Sequence, residues 1–317
     1  MVVLKLAIGI TLVLYGTNLL INTATILGKK FNISDFFIGI VVIGFGTSLC
    51  ELVVSIDAVL KNATELSLGN IIGSNIANIF LVLGFSGLMK KIVIPKIKNF
   101  DIIFHFFISS IFFLIFLFLK INFLIGIIFI GIFLLYIIKS FYKSDIDKNS
   151  ENINLEDRLS ILSFDHPIKF GVPIIFFSIA LTIYGADLTV INAIEISTLL
   201  GVSEAIIGLS IVAVGTSLPE IAAGIAAVKK NKIELIFGNI IGSNLYNILL
   251  IVGTSSLLNK FDYNNQNLLI EIWLMFISVI IFSIIIKYSK KIDRIFSVVL
   301  LILYFIFMTM LYSKNLT

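Results

Sequence analysis

The chain has 317 residues, 59% of them hydrophobic and 13% charged, with a mean hydropathy of +1.11. Soluble domains run nearer half apolar and a quarter charged, so this composition excludes an ordinary soluble domain and fits a chain built for lipid. The formal charge of +4 does not mark a nucleic-acid binder, because the basic residues sit in short loops between apolar runs, where they report membrane orientation.

Apolar runs repeatedly reach about 20 residues, the length a helix needs to cross roughly 30 Å of hydrocarbon. In chain order they predict ten spans, over 2–27, 35–60, 66–89, 100–119, 122–142, 168–198, 203–229, 234–258, 267–287 and 292–313. The first run is too long for a cleavable signal and lacks a small-residue cleavage site, so it reads as the first span. The polar stretch 143–167 divides the chain into two halves of five spans, 1–142 and 168–317. Its acids, Asp145, Asp147, Glu151, Glu156 and Asp157, do not follow the EF-hand spacing, so it reads as a solvated linker. The single cysteine, Cys50, excludes an internal disulfide. With the N-terminus outside, 18 of the 23 basic residues fall on the inner side, which predicts a cell-membrane protein with both termini extracellular and a cytoplasmic central loop.

The second half restates the first. GTSLCE begins at Gly46 and GTSLPE at Gly215, and GNIIGSNIANI begins at Gly69 and GNIIGSNLYNI at Gly238, each pair 169 residues apart. About half the positions are identical between Ile33–Phe80 and Val202–Leu249. Five spans per unit is odd, so the second copy enters the membrane upside down. The expected fold is an all-α integral membrane protein of ten transmembrane helices in two inverted-topology five-helix repeats, an architecture of transporters with the site near the midplane.

Each repeat places the same polar groups at mid-membrane: Thr47, Ser48, Glu51, Ser74, Asn75 and Asn78 in the first, and Thr216, Ser217, Glu220, Ser243, Asn244 and Asn247 in the second. The glycines before Thr-Ser and before Ser-Asn predict unwound turns in spans 2, 3, 7 and 8, with Pro219 removing a donor beside Glu220. Carboxylates, hydroxyls, amide oxygens and freed carbonyls are hard ligands that suit Na⁺, Ca²⁺ or Mg²⁺ and disfavour zinc or copper. Two carboxylates at the bilayer centre are costly unless a cation offsets them. The small Gly, Ser and Thr positions also suit helix–helix packing, and Asn75 and Asn244 suit capping of broken helix ends.

These paired motifs resemble the two alpha-repeats of the sodium/calcium exchanger family, in the calcium:cation antiporter superfamily. The resemblance implies a four-helix core of spans 2, 3, 7 and 8, over which spans 1 and 6 slide. It implies that Glu51 and Glu220 are the main Ca²⁺ carboxylates, joined by the backbone carbonyls of Thr47 and Thr216. Ser48, Ser217, Ser74, Ser243 and Asn78, with the backbone of Gly44 and Ala213, would serve Na⁺. Two positions depart from the family pattern. Cys50 stands where a proline is usual, and Asn247 stands where the well-described exchangers carry an aspartate, which leaves the three-Na⁺ stoichiometry and the counter-ion open.

The expected function is secondary active antiport of Ca²⁺ against Na⁺ by alternating access, with the ions as substrates and no cofactor. The chain is not expected to be an enzyme, since no His or Lys recurs near Ser48 or Ser217 to serve as a base. The competing readings are a Ca²⁺/H⁺ antiporter using the same carboxylates and a cation channel. The expected partners are the bilayer and Ca²⁺, Na⁺ or H⁺, with no nucleic acid and no obligate protein partner. Asp57 reads as an outer-end polar residue, Asp187 and Asn18 as matched positions on the sliding helices, His105 as a packed neutral imidazole, His166 as a helix-entry residue, and the 29 phenylalanines as lipid-facing bulk.

Overall fold

The computed structural model describes residues 1–31, 33–142, 167–199, 213–258, 261 and 268–314. Almost all of them are helical. The helices are α1 Val2–Lys30, α2 Asp35–Thr47, α3 Leu49–Leu60, α4 Thr64–Met89, α5 Asn99–Phe118 and α6 Phe123–Tyr142. In the second half follow α7 Pro167–Leu199, α8 Ala213–Thr216, α9 Leu218–Lys229, α10 Ile233–Leu258, α11 Leu269–Tyr288 and α12 Arg294–Lys314. Starts are fixed by side-chain acceptors: Ser34 takes the Phe37 N–H at 3.3 Å, and Asn122 and Asp293 take those of Ile125 and Phe296 at 3.1 Å.

Among the described residues, seven helices are long and apolar enough to cross a membrane, and the bent pair α2–α3 makes an eighth. The chain is an all-α membrane protein. The expected span 203–229 is described only from Ala213, and the apolar stretch of α12, Arg294–Met310, is shorter than the others. The expected linker lies outside the described residues except for Pro167, as does His166.

Burial sorts the helices into layers. In their most apolar stretches α4 is 83% and α10 94% buried, against 22% for α1. These two helices, α4 and α10, buried on nearly all sides, form the centre, packed against each other and against α2, α3, α9, α11 and α12. The outer helices turn apolar side chains outward, Leu4, Phe107, Leu135 and Phe176 among them, where hydrocarbon is the solvent. The phenylalanines are not all lipid-facing, contrary to expectation: Phe112, Phe116, Phe129, Phe237 and Phe282 are fully buried, because large rings fill the gaps between crossing helices. α1 and α7 lie along each other at a seam of small residues, where a Cβ on Gly9 or Gly16 would sit 2.5 Å from the Thr189 or Thr182 hydroxyl.

The backbone repeats itself at the 169-residue offset. Ser48 (φ −76°, ψ 3°) matches Ser217 (φ −89°, ψ 5°), and the left-handed Asn62 (φ 60°) matches Asn231 (φ 58°). Each asparagine follows a helix end, where its side chain tolerates a conformation that other non-glycine residues avoid. Basic loops gather on one face. Strand β1, Ile92–Val93, pairs antiparallel with β2, Lys291–Ile292, while Lys232 bridges Asp35 at 2.6 Å, and Lys90 and Lys230 donate to Asn231 and Asn22.

Two of the four expected helix breaks are corrected. α4 runs unbroken through Gly73, and α10 passes Gly242 as α-helix before a π-helical segment at Tyr246–Ile251. In the second copy of this motif the glycines serve close approach instead, whereas a Cβ on Gly73 would meet nothing within 4 Å among the described residues. A Cβ on Gly238 would lie 2.3 Å from the Phe36 carbonyl, and one on Gly242 would lie 2.7 Å from Ile40 Cα. Here α2, π-helical over Gly39–Gly44, and α10 touch backbone to backbone.

Candidate functional site

Two helix breaks build the site. α2 ends at Thr47 and α3 starts at Leu49, with a 44° bend at Ser48. The Ser48 N–H still reaches the Gly44 carbonyl, and the Ser48 carbonyl still accepts from Leu52, both at 3.1 Å, so the disturbance is confined to one turn. In the second half α8 ends at Thr216 and α9 starts at Leu218, with Pro219 in the first turn, where a missing N–H costs nothing. Cys50 occupies the equivalent place in α3, and the break forms there as well, so proline is not required for it. Each break puts a glutamate in the first turn of the next helix, where amide dipoles favour negative charge.

Glu51 and Glu220 are both wholly buried. The Ser48 hydroxyl donates to Glu220 Oε1 at 3.3 Å, joining the first break to the carboxylate of the second. Glu220 Oε2 and both oxygens of Glu51 have no hydrogen-bond partner among the described residues, although the Ser74 hydroxyl and Glu220 lie near enough to act on Glu51. Ser74, Ser217, Ser243, Asn78 and Asn247 are buried as well, and Thr216 is 7% exposed. The Ser217 hydroxyl and both amide atoms of Asn247 are also without partners among the described residues.

Other expected groups are engaged. The Thr47 hydroxyl turns back onto its own helix, 3.0 Å from the Ile43 carbonyl and 3.3 Å from that of Gly44. The Ser243 hydroxyl also donates to the Gly44 carbonyl, at 3.4 Å. Ala213 opens α8, where its backbone is described. Asn75 does not cap a break: it donates to the Ile71 carbonyl one turn back in an intact helix, at 2.8 Å. Asp57 pairs with Lys61 at 2.7 Å on an exposed surface, away from the site. Asn18 and Asp187 are exposed on α1 and α7.

Two asparagines at the site were not singled out by sequence. Asn70 donates to the Glu51 carbonyl at 3.3 Å and to the Ser55 hydroxyl at 3.0 Å, tying α3 to α4. Asn239 Oδ1 lies 3.4 Å from the Thr47 hydroxyl and 3.5 Å from that of Ser243. Both belong to the repeated GNIIGSN and could have been found by the same offset. His105 is packed and buried as expected, but it also approaches Asn244, a contact that no repeat marks.

The atoms that converge are oxygens, two of them carboxylates. Among the described residues no three of His, Cys, Asp or Glu cluster as a transition-metal site would require. Each carboxylate at the bilayer centre costs about 2.5–3.5 kcal/mol on insertion scales. Paired acids held at helix breaks inside an all-α membrane protein have the chemistry of a transporter of hard cations.

The chain belongs to the sodium/calcium exchanger family, whose model, described as sodium/calcium exchanger protein, matches residues 1–142 and 170–313. It is 29% identical to sodium/calcium exchanger MaX1 of Methanosarcina acetivorans, over 98% of each chain. It is 31% identical to the inner membrane protein YrbG of Escherichia coli, over 80% of this chain and 78% of that one. Among solved structures it resembles the sodium-calcium exchanger NCX_Mj soaked with 2.5 mM Na⁺ and 0.1 mM Ca²⁺, at TM-score 0.81 and 28% identity, over 96% of each chain. Members of this family are membrane cation antiporters, not enzymes.

Proposed function

We propose that this protein exchanges Ca²⁺ for Na⁺ by alternating access, with Na⁺ entering as Ca²⁺ leaves. The observation that carries the reading is the pair Glu51 and Glu220, both fully buried, three of whose four oxygens have no protein donor among the described residues. Their combined charge of −2 matches one Ca²⁺ or two Na⁺. The names of NCX_Mj and MaX1 support this cation pair.

In this reading Glu51, Glu220 and the carbonyls of Thr47 and Thr216 hold Ca²⁺. Ser48, Ser217, Ser74, Ser243, Asn78 and Asn247, with the backbone of Gly44 and Ala213, supply the remaining oxygens for Na⁺. A cation at the Gly44 carbonyl would take the place of the Ser243 hydroxyl. The chain forms two inverted five-helix repeats, 1–142 and 168–317, joined by a cytoplasmic linker at 143–167, with both termini outside. The shared face of the basic loops supports this orientation. Occupancy neutralises the acids and lets α1 and α7 slide on their small-residue seam, whereas a doubly charged site resists crossing. Three Na⁺ would leave one net charge, worth about 2.3 kcal/mol per 100 mV, and two would leave none.

Proteoliposomes test the reading: Ca²⁺ uptake should follow an outward Na⁺ gradient and stop when it is dissipated. Uptake driven by a pH gradient alone would instead establish Ca²⁺/H⁺ exchange, with Glu51 and Glu220 taking the protons, since Asn247 in place of an acid leaves the counter-ion open. Uptake without any opposing gradient would mean a channel.

A further inference from the structure

His105, which lies outside the repeated motifs, is the end of a hydrogen-bond chain that reaches the site. Its ring, on α5, is fully buried and set edge-on to Phe282 at 5.7 Å and 88°. Its Nε2 lies 3.3 Å from Asn244 Nδ2 on α10. That nitrogen also faces the Asn75 carbonyl at 3.5 Å, and Asn244 Oδ1 accepts from Asn78 Nδ2 on α4 at 3.1 Å. Asn78 Oδ1 is left buried without a donor among the described residues.

An amide has a donor end and an acceptor end, and a hard cation can use only the oxygen. A backbone carbonyl only accepts, so the Asn75 contact turns the NH₂ of Asn244 toward it, and the Nε2 lone pair of the Nδ1–H tautomer takes its second hydrogen, which leaves the buried Nδ1–H without a partner among the described residues. With its nitrogen so fixed, Asn244 presents oxygen to Asn78, and Asn78 in turn must present its own oxygen away from Asn244. Asn247, the repeat counterpart of Asn78, has neither amide atom so held among the described residues. Helices α5 and α11 match at an offset of 170, so the counterpart of His105 is the equally buried Met275, whose thioether is only a weak acceptor. Among the described residues, one half of the site therefore has an oriented amide and the other one that no neighbour orients.

We infer that His105 is a positioning residue for cation binding: as a hydrogen-bond acceptor it aligns Asn244, and through it turns the Asn78 oxygen toward the transported ion. This rests on the proposed Ca²⁺ site. Outer-shell partners of this kind typically contribute 10–100-fold in metal affinity.

Ca²⁺ titration calorimetry of the purified full chain in lipid nanodiscs tests it. His105→Phe keeps the ring and removes the acceptor, and it should weaken Ca²⁺ binding by about tenfold, at the lower end of that range because the Asn75 contact survives. His105→Gln, whose amide oxygen can accept from Asn244, should recover most of the affinity. In an Asn78→Asp background, where oxygen faces the ion either way round, His105→Phe should cause no further loss, whereas a packing defect would persist. If the phenylalanine variant does not accumulate, His105→Leu makes the same comparison. Wild-type affinity in the non-accepting variant, or an equal loss in the Asn78→Asp background, overturns the inference. Glu51→Gln is titrated alongside: undiminished Ca²⁺ binding there overturns the site itself, while loss there with an unaffected His105→Phe overturns only the positioning role.

Discussion

The Ser48 hydroxyl donates to the carboxylate of Glu220 at 3.3 Å, linking residues 172 positions apart at the breaks of two different helices. Hydrogen bonds to charged groups contribute about 1.5–3 kcal/mol, and 1.4 kcal/mol is tenfold in a binding constant. Ser48→Ala should therefore weaken cation binding by roughly tenfold or more while leaving the fold intact. Equilibrium Ca²⁺ and Na⁺ titrations of the purified variant check this, and unchanged constants for both ions would count against a role for the contact.

Glu51→Gln and Glu220→Gln should each abolish Ca²⁺ exchange in proteoliposomes. The proteins should still fold, and their thermal stability without cations should be equal or higher, since a buried charge lacking full compensation is removed. Retained exchange in either variant would contradict the proposed site.

Asn247→Asp adds a third acid beside Glu51 and Glu220. We expect tighter Ca²⁺ binding and one more monovalent cation carried per cycle, because the loaded site tends toward a small net charge. The measurement is the reversal potential of Ca²⁺ flux at fixed Na⁺ gradients. A potential identical to that of the unaltered protein would show that Asn247 does not set coupling.

Gly242→Val should be badly tolerated. Its Cβ would fall 2.7 Å from Ile40 Cα and 2.8 Å from the Ile40 carbonyl, where backbone must move to make room. Overpacking of this kind costs about 1–3 kcal/mol or more. Lys61→Ala breaks only an exposed ion pair worth about 0–1 kcal/mol and should leave the melting temperature nearly unchanged. Melting curves of the two in detergent should separate clearly.

Sidedness can be read by thiol labelling in a Cys50→Ser background. Asn231→Cys and Lys290→Cys should react from the cytoplasmic face and Lys61→Cys from the opposite one. Labelling of Lys61→Cys and Lys290→Cys from the same side would refute the orientation.

Much of this was legible in the chain because membranes impose simple rules. Helix positions followed from apolar length, and the breaks at Ser48 and Ser217 followed from GTSLCE and GTSLPE. The glycines of GNIIGSN were misread, since a sequence does not say whether a glycine loosens its own helix or admits a neighbour. Gly238 and Gly242 do the second, as the Phe36 and Ile40 backbones beside them show. The supporting role of Asn70 on the Glu51 carbonyl was within reach of the repeat but not drawn from it.

What the sequence determined by itself was the lipid-borne class, the duplication and the two glutamates, because hydropathy and spacing along one chain encode them. Which groups meet across helices was decided only by tertiary structure. Ser48 on Glu220, and His105 at the end of the Asn244–Asn78 chain, depend on how α2, α4, α5, α9 and α10 pack. No periodicity marks a lone histidine, and an amide acquires a direction only when its neighbours in space are in place.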